Sequence, residues 1–153
     1  MTTCFTHEFP QPIGELTVYM TDKAITGVAF GKADAMVPQD MDRFGFVAQM
    51  DEYLQGTRRE FDLPLSLETV KSEFMLRVYE NMQKFPYGET ATYGTLAAMS
   101  GNALAARAVG MACNRNPIAI VIPCHRIVGK NGSLVGYGGG LHVKRYLLEL
   151  ERS

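Results

Sequence analysis

One short segment of the chain places three chemically reactive side chains next to each other. The apolar run at residues 118–122 leads into Pro123, and Cys124, His125 and Arg126 follow at once. Proline fixes its own φ and favours an extended residue before it, so the run predicts a buried strand that ends in a stiff turn. A thiol beside an imidazole and a guanidinium is favoured to ionise, and the thiolate is the nucleophile. The segment therefore indicates nucleophilic chemistry at Cys124, against the commoner case of a cysteine that is only a small buried apolar side chain.

The composition bounds the class of protein. The 153 residues are 46% apolar and 20% charged, which is typical of globular chains and enough for one medium domain or two small ones. No apolar run approaches the ~20 residues of a membrane span, and the first residues lack the features of a signal peptide. Three cysteines without a framework spacing favour a reducing compartment. We expect a cytoplasmic protein that does not bind a membrane.

The charges are distributed unevenly between the two halves of the chain. Residues 1–66 hold 5 Lys/Arg and 10 Asp/Glu, a charge of −5, whereas residues 67–153 hold 10 and 6, a charge of +4. A basic half favours a polyanion as partner, although this signal alone is weak because charges often only solubilise a surface.

The first 66 residues predict a small α/β domain without visible chemistry. Cys4 and His7 have a ligand-like spacing, but two candidate ligands do not make a zinc site, so no metal is expected. Patterning predicts strands at 16–20 and 25–30, a polar loop at 32–40, a helix from Phe44 to Leu54 and an edge strand at 61–65.

The second part of the chain reads as mainly helical. Thr92 can cap a short helix that ends at Met99, and Gly101 can close it. A second helix follows at 103–113, so the pair predicts a helix-turn-helix. Asn-Gly at 131–132 predicts a hairpin over 128–135 that resembles a wing. The remaining elements are a helix along Phe74, Val78 and Met82 and a closing helix at 141–152.

The second helix of this pair is unusual in content. Ala106, Ala108 and Gly110 surround a lone Arg107, and small side chains let a helix backbone approach its neighbour closely. In an isolated alanine-rich helix this favours packing against another helix. Here the arginine suits insertion into a DNA groove, where its guanidinium can replace base contacts.

These motifs together resemble the O6-alkylguanine-DNA alkyltransferase family. The match runs in order through residues 72–151, and residues 1–66 are similar only in α/β character and acidic balance. The residues that carry the resemblance are Tyr87-Gly88, Thr92-Tyr93-Gly94, Arg107-Ala108-Val109-Gly110, Asn116-Pro117, Pro123-Cys124-His125-Arg126, Gly136-Tyr137, Gly139-Gly140, Lys144 and Leu147-Leu148.

The resemblance implies a fold and an activity. The fold would be α+β, with a ribonuclease-H-like α/β domain at 1–66 and a mainly helical winged helix-turn-helix domain at 67–153. The protein would repair DNA by direct reversal, flipping O6-alkylguanine, and as an open question O4-alkylthymine, out of a duplex bound through its minor groove. The alkyl group would move irreversibly to Cys124 of a monomer that needs no cofactor.

The resemblance also implies roles for individual residues. His125 would make Cys124 a thiolate through a water, Glu151 would orient that histidine, and Asn116 would support the turn. Tyr93 would donate to the leaving base. Arg107 would contact DNA and fill the vacated stack. The other residues in contact with DNA would be Ala106, Ala108, Gly110, Tyr93 and Arg126. The pocket would be formed by Tyr137, Gly138, the Ile127 carbonyl, which would read the exocyclic amine, and Ala119, where some members have a proline.

Two other functions use the same residues differently. A Cys-His hydrolase would turn over repeatedly on an activated amide or ester. A non-catalytic binder of alkylated DNA would keep the arginine but lack the cysteine, whereas Cys124 is present here.

Overall fold

The computed structural model describes residues 2–33 and 42–152 of the chain, which form two compact units. The first unit contains the described residues up to Thr69 together with Pro117–Ala119, and the second contains Val70–Asn116 and Ile120–Arg152. Helices and strands are both present, so the α+β class is confirmed. The domain boundary at residues 66–67 stays a prediction, and most of the predicted loop at 32–40 lies outside the described residues.

The first unit is an antiparallel meander with one helix. Strands β1 (Thr3–Phe9), β2 (Gly14–Met20) and β3 (Ile25–Phe30) pair in the order β1-β2-β3, and helix α1 spans Phe46–Leu54. Buried positions are spaced along β1, whereas β2 is buried at three consecutive residues and β3 at four, residues 25–28. Fully or almost fully buried apolar side chains of this unit include Phe5, Phe9, Leu16, Val18, Met20, Ile25, Val28, Phe46, Met50, Tyr53 and Ile118.

Two of the predicted strands and the helix of this unit are confirmed, and two details differ. Strand β1 was not predicted, because His7 interrupts the apolar alternation between Phe5 and Phe9. The strand predicted at 61–65 is wrong: only an isolated parallel bridge joins Leu65 to Ile25. Proline at position 64 has no N–H for a ladder, although its carbonyl accepts from the Ile25 N–H at 2.8 Å.

The second unit contains the predicted helix-turn-helix. Its elements are α2 (Glu73–Met82), β4 (Ala91–Thr92), α3 (Tyr93–Met99), α4 (Ala106–Asn114), β5 (Ile127–Val128) and α5 (Leu141–Arg152). The Thr92 side chain caps α3 by accepting from the Thr95 N–H at 3.1 Å, and Gly101 follows with φ of +100°. Helix α4 begins three residues later than predicted, because Asn102 accepts from the N–H groups of Leu104 and Ala105 in a turn.

The apolar run before Cys124 is not the continuous strand that its composition predicts. Pro117–Ala119 pairs with β3 through two backbone hydrogen bonds with Val28, and Ile120 then adopts φ of +69°. A branched side chain rarely occupies this left-handed region, and the extended course ends there. Residues Cys124–Arg126 form a one-turn 3₁₀-helix, here called the Cys124 turn, and only β5 beyond it is a strand, pairing in parallel with β4.

The predicted hairpin at 128–135 forms its turn but not its ladder. Asn131 and Gly132 have the left-handed φ values of 65° and 77°, and the Gly129 N–H donates to the Ser133 carbonyl at 2.7 Å. Within the described ranges no strand pairs with β5 from this side. The carbonyl of Val135 is instead held by side chains of other elements, so the wing is a turn rather than a β-ribbon.

Among residues 2–33 and 42–152, no helix is both long and apolar enough to cross a lipid bilayer.

Candidate active site

The candidate site lies in the second unit, where the Cys124 turn packs against α5. Pro123 has φ of −83°, and its carbonyl accepts from the Arg126 N–H at 3.0 Å. The turn buries the side chains of Cys124, His125 and Arg126 together. The residue types at this turn therefore face the interior of the unit rather than its surface.

The Glu151 carboxylate is the centre of the hydrogen-bond network. Its Oε2 atom accepts from His125 Nε2 at 2.7 Å and from Arg126 Nη2 at 3.0 Å. Its Oε1 atom accepts from Arg126 Nε at 2.8 Å and from the Gly88 N–H at 3.1 Å. Glu151 is only 5% exposed. A buried charge must be paired and hydrogen-bonded, and the Glu151 carboxylate is both. The structure thus brings Glu151 against His125 as the sequence predicts.

Arg126 does not lie on a DNA-facing surface, and its prediction as a DNA contact is corrected. Its side chain is only 10% exposed, and its guanidinium makes a two-pronged ion pair with Glu151. The remaining Nη1 donates to the Phe85 carbonyl at 2.8 Å. Because the acceptors of Arg126 are internal, its place in the fold is to balance and orient the Glu151 carboxylate.

The Cys124 thiol is buried, with 4% of the residue exposed. Burial raises the pKa of this thiol above its ordinary value, whereas a hydrogen bond with the Asn116 side chain and the charge of Lys144 act in the opposite direction. Asn116 also donates from Nδ2 to the Ile122 carbonyl at 2.8 Å, and so ties the segment that follows α4 to the residues before the turn. A thiol whose pKa is raised ionises less readily, so a base is needed to remove its proton and form the thiolate.

His125 is fully buried, and burial lowers its pKa below the ordinary value of 6.5. The hydrogen bond and charge of Glu151 oppose this shift, but Arg126 already balances that carboxylate and Lys144 adds a further positive charge. Burial therefore favours the neutral imidazole, which is able to accept a proton. The arrangement can therefore generate a nucleophile.

This lowered pKa predicts a pH dependence of stability. Below about pH 6.5 the unfolded chain binds a proton that the folded His125 resists, so the free energy of unfolding falls as pH decreases. The loss is about 1.4 kcal/mol for each pH unit between the two pKa values. Denaturant titrations of wild type, His125→Gln and the exposed control His142→Gln from about pH 7 to about pH 5 measure it. His125→Gln should flatten the slope and His142→Gln should not, and equal slopes in all three proteins would contradict the assignment.

A second network links α3 to the loop before α5. The Tyr93 hydroxyl donates to the Val135 carbonyl at 2.9 Å, and burial raises the pKa of Tyr93 to about 12. The Ile127 carbonyl, predicted to read a base, accepts from Lys144 Nζ at 2.6 Å. Sequence reasoning gave Lys144 no role. A signal was present, because Lys144 lies three, four and seven residues before Leu147, Leu148 and Glu151 on the buried face of α5.

The remaining pocket candidates differ in their surroundings. The hydroxyl oxygen of Tyr137 is enclosed, and burial raises the pKa of this side chain well above its usual value. Gly138 is exposed, and a Cβ built there would meet no atom within 4 Å. Ala119 is buried and donates from its N–H to Val28 of β3, within the first unit. The roles predicted for these three residues stay predictions.

Helix α4 presents an exposed face with the predicted arginine. Val109, Ala112 and Cys113 are buried, while Arg107 and Ala108 are exposed near the start of the helix. A Cβ at Gly110 would meet no atom within 4 Å, so packing inside the chain does not require this glycine. The face is therefore open to close approach by another molecule.

Groups of three or more His, Cys, Asp or Glu side chains able to hold a metal ion do not occur in the described part of the chain.

Both parts of the chain match known protein families. Residues 7–67 match the ribonuclease-like domain, and residues 73–153 the DNA binding domain, of 6-O-methylguanine DNA methyltransferase. The methylated-DNA–protein-cysteine methyltransferase of Methanosarcina acetivorans is 42% identical over 152 residues, which cover 95% of this chain and 96% of that protein. The protein of the same name from Mycolicibacterium paratuberculosis is 53% identical over 108 residues, 71% of this chain and 64% of that one.

Solved structures agree with the sequence matches. The crystal structure of Mycobacterium tuberculosis OGT in complex with DNA has a TM-score of 0.88 and 39% identity, and the alignment covers 98% of this chain and 92% of that one. The O6-methylguanine-DNA methyltransferase of Pyrococcus kodakaraensis has a TM-score of 0.71 and 25% identity with full coverage of both chains. The fold predicted for each half of the chain is thereby confirmed.

Proposed function

Because the chain belongs to the 6-O-methylguanine DNA methyltransferase family, we propose that it repairs duplex DNA by transferring the alkyl group of O6-alkylguanine to its own Cys124. The chain is a DNA-binding methylated-DNA–protein-cysteine methyltransferase. What we propose beyond this is that Cys124 is the residue that accepts the alkyl group. The observation that carries this step is a buried thiol directly followed by a buried histidine whose ring is fixed by a buried carboxylate.

In this proposal the reaction begins with removal of the thiol proton. Neutral His125 accepts that proton through a bridging water, and Glu151 holds the ring and stabilises the imidazolium that forms. Asn116 donates to the sulfur and lowers the free-energy cost of the thiolate. The sulfur then attacks the alkyl carbon, the carbon–O6 bond breaks, and Tyr93 gives a proton to the departing guanine. The thioether that remains is stable, so each protein molecule reacts once.

The exposed face of α4 is the proposed contact with the minor groove. That groove is about 6 Å wide, so Ala106, Ala108 and Gly110 allow the helix to approach. Arg107 fills the stack left by the flipped guanine, because an unfilled gap would add to the few kcal/mol that unstacking costs. The pocket for the flipped base is assigned to Tyr137 and Gly138. We further propose that the protein acts as a monomer and is located in the cytoplasm.

Arg107→Ala is expected to separate repair of duplex DNA from reaction with a free base. Loss of the guanidinium should slow transfer from O6-methylguanine in a duplex by roughly 10-fold or more, since unstacking costs a few kcal/mol and a part of it is no longer offset. Reaction with free O6-benzylguanine needs no flipping and should keep its rate. Arg145→Ala, an exposed arginine on α5, is the matched control. Equal slowing of both reactions by Arg107→Ala would assign this residue to folding or to the pocket.

Counting product against protein tests the function itself. Excess duplex DNA containing O6-methylguanine is incubated with a known amount of protein, and the restored guanine is quantified over time. The proposal predicts a plateau at one guanine per protein molecule. Continued turnover, with an activated ester also cleaved, would establish a Cys-His hydrolase instead, and binding without any restored guanine would establish a damage-binding protein.

A further inference from the structure

A buried ammonium group connects the Cys124 turn to the proposed proton donor. Lys144 is 0% exposed, although it occupies the first half of α5. Its Nζ donates to the Ile127 carbonyl at 2.6 Å, the Val135 carbonyl at 3.0 Å and the Tyr93 hydroxyl oxygen at 3.4 Å. A lysine ammonium has three donors, and these three acceptors match them in number.

Packing alone does not account for a lysine at this position. The buried neighbours of Lys144 on α5 include Val143, Leu147 and Leu148, so an apolar side chain would suit the same face. Removing an ammonium from water is costly, and burial lowers the pKa of Lys144 accordingly. The negative charge of a Cys113 or Cys124 thiolate opposes this effect. The three acceptors around Nζ fit a charged ammonium, and a charge held at this position can act electrostatically in the site.

We propose that Lys144 is a positioning residue for alkyl transfer that acts through Tyr93. It holds the Tyr93 hydroxyl in place and stabilises the negative charge that develops on the Tyr93 oxygen as its proton moves to guanine. This inference rests on the proposed function. In the step concerned, the sulfur–carbon bond forms and the carbon–O6 bond breaks with its electron pair moving to guanine. The Tyr93 proton neutralises guanine, and solvent returns a proton to Tyr93, which balances the one that His125 took from the thiol.

The resting hydrogen bonds make this proton transfer feasible. Tyr93 now donates to the Val135 carbonyl, and it must turn away from that oxygen to reach a base. Lys144 donates to the same carbonyl, so the carbonyl keeps a partner when Tyr93 turns. The ammonium also lies 5.7 Å from the centroid of the Tyr93 ring, beside the oxygen to which it donates.

The charge of Lys144 also answers a chemical difficulty. Burial makes Tyr93 a weak acid, with its pKa raised to about 12. A weak acid donates poorly unless the charge left behind is stabilised, and a fixed cation at hydrogen-bond distance stabilises it without reorganisation.

Two electrophiles with different leaving groups distinguish this role from support of the fold. Iodoacetamide expels iodide, which needs no proton, whereas O6-methylguanine expels a base that does. Lys144→Met is expected to slow transfer from O6-methylguanine duplex DNA roughly 10- to 100-fold relative to iodoacetamide alkylation of Cys124. An effect on the Cys124 thiolate slows both reactions alike and cancels in this ratio. Lys144→Arg, which keeps the charge, should recover most of the ratio.

A double-mutant cycle tests whether the effect passes through Tyr93. Tyr93→Phe should lower the same ratio, and combining it with Lys144→Met should lower it no further, because both changes remove one function. Multiplied effects in the double variant, or an unchanged ratio in Lys144→Met, would overturn the proposal. Thermal melting shows whether Lys144→Met is folded, and Lys144→Gln is used in its place if it is not. If neither variant folds, the proposal is also overturned. A wild-type protein that reacts with iodoacetamide but not with O6-methylguanine DNA would reject the proposed function instead.

Discussion

Replacing Cys124 with serine is expected to reduce alkyl transfer to background while duplex DNA containing O6-methylguanine is still bound. A serine hydroxyl is almost entirely protonated at neutral pH and is a far weaker nucleophile than a thiolate. The exchange is small in volume and lies in the Cys124 turn, away from the exposed face of α4. Binding measured by fluorescence anisotropy, and restored guanine measured in the same samples, give the two quantities.

Cys113→Ser is the matched control for this result. Cys113 is also a buried thiol of the second unit, and burial raises its pKa to about 12. Cys113 is followed by Asn114 rather than by a histidine, so its loss should leave one guanine restored per protein molecule. Transfer that persists in Cys124→Ser and disappears in Cys113→Ser would move the acceptor to the second cysteine.

Glu151→Gln is expected to produce the largest loss of stability. The change leaves the buried guanidinium of Arg126 without its countercharge, and breaking one side of such a pair costs about 3–5 kcal/mol. For a chain of this length the melting temperature should fall on the order of 10 °C. Transfer should slow as well, because the single oxygen of the glutamine amide cannot replace both carboxylate oxygens, and a neutral amide stabilises an imidazolium at His125 less. Calorimetry and single-turnover kinetics measure the two effects.

Two further variants identify the source of that loss. Glu149→Gln removes an exposed carboxylate from the same helix and should cost less than about 1 kcal/mol. Adding Arg126→Met to Glu151→Gln removes the uncompensated charge and should recover part of the stability. If Glu151→Gln were as stable as Glu149→Gln, the buried network would not hold the Cys124 turn in place.

The parts of the fold with local signals could be predicted from the sequence. Thr92 and Gly101 bound α3 through capping preferences that belong to the residues themselves. The apolar spacing at the end of the chain likewise predicts α5. The course of the chain before Cys124 could not be predicted in this way. The left-handed φ of Ile120 opposes the preference of a branched residue, so tertiary packing must impose it.

The candidate site shows the same division. Cys124 and His125 are adjacent in the sequence. Their residue types therefore predicted nucleophilic chemistry without any knowledge of which distant residues lie nearby in the fold. Arg126 was predicted to contact DNA on the basis of the resemblance, whereas its partner in the fold, Glu151, is 25 residues away in sequence. Lys144 donates to the backbone carbonyls of Ile127 and Val135. Because every residue has a backbone carbonyl, the sequence does not indicate which carbonyls accept these hydrogen bonds.

Locating the transferred group on the protein tests the central claim most directly. The wild-type protein is incubated with duplex DNA containing a single O6-methylguanine, and its intact mass is measured before and after proteolysis. The account predicts that every molecule gains the mass of one methyl group in place of one hydrogen, and that the gain lies in the peptide that contains Cys124. An unchanged mass with restored guanine in the DNA, or a methyl group on a peptide without Cys124, would contradict it.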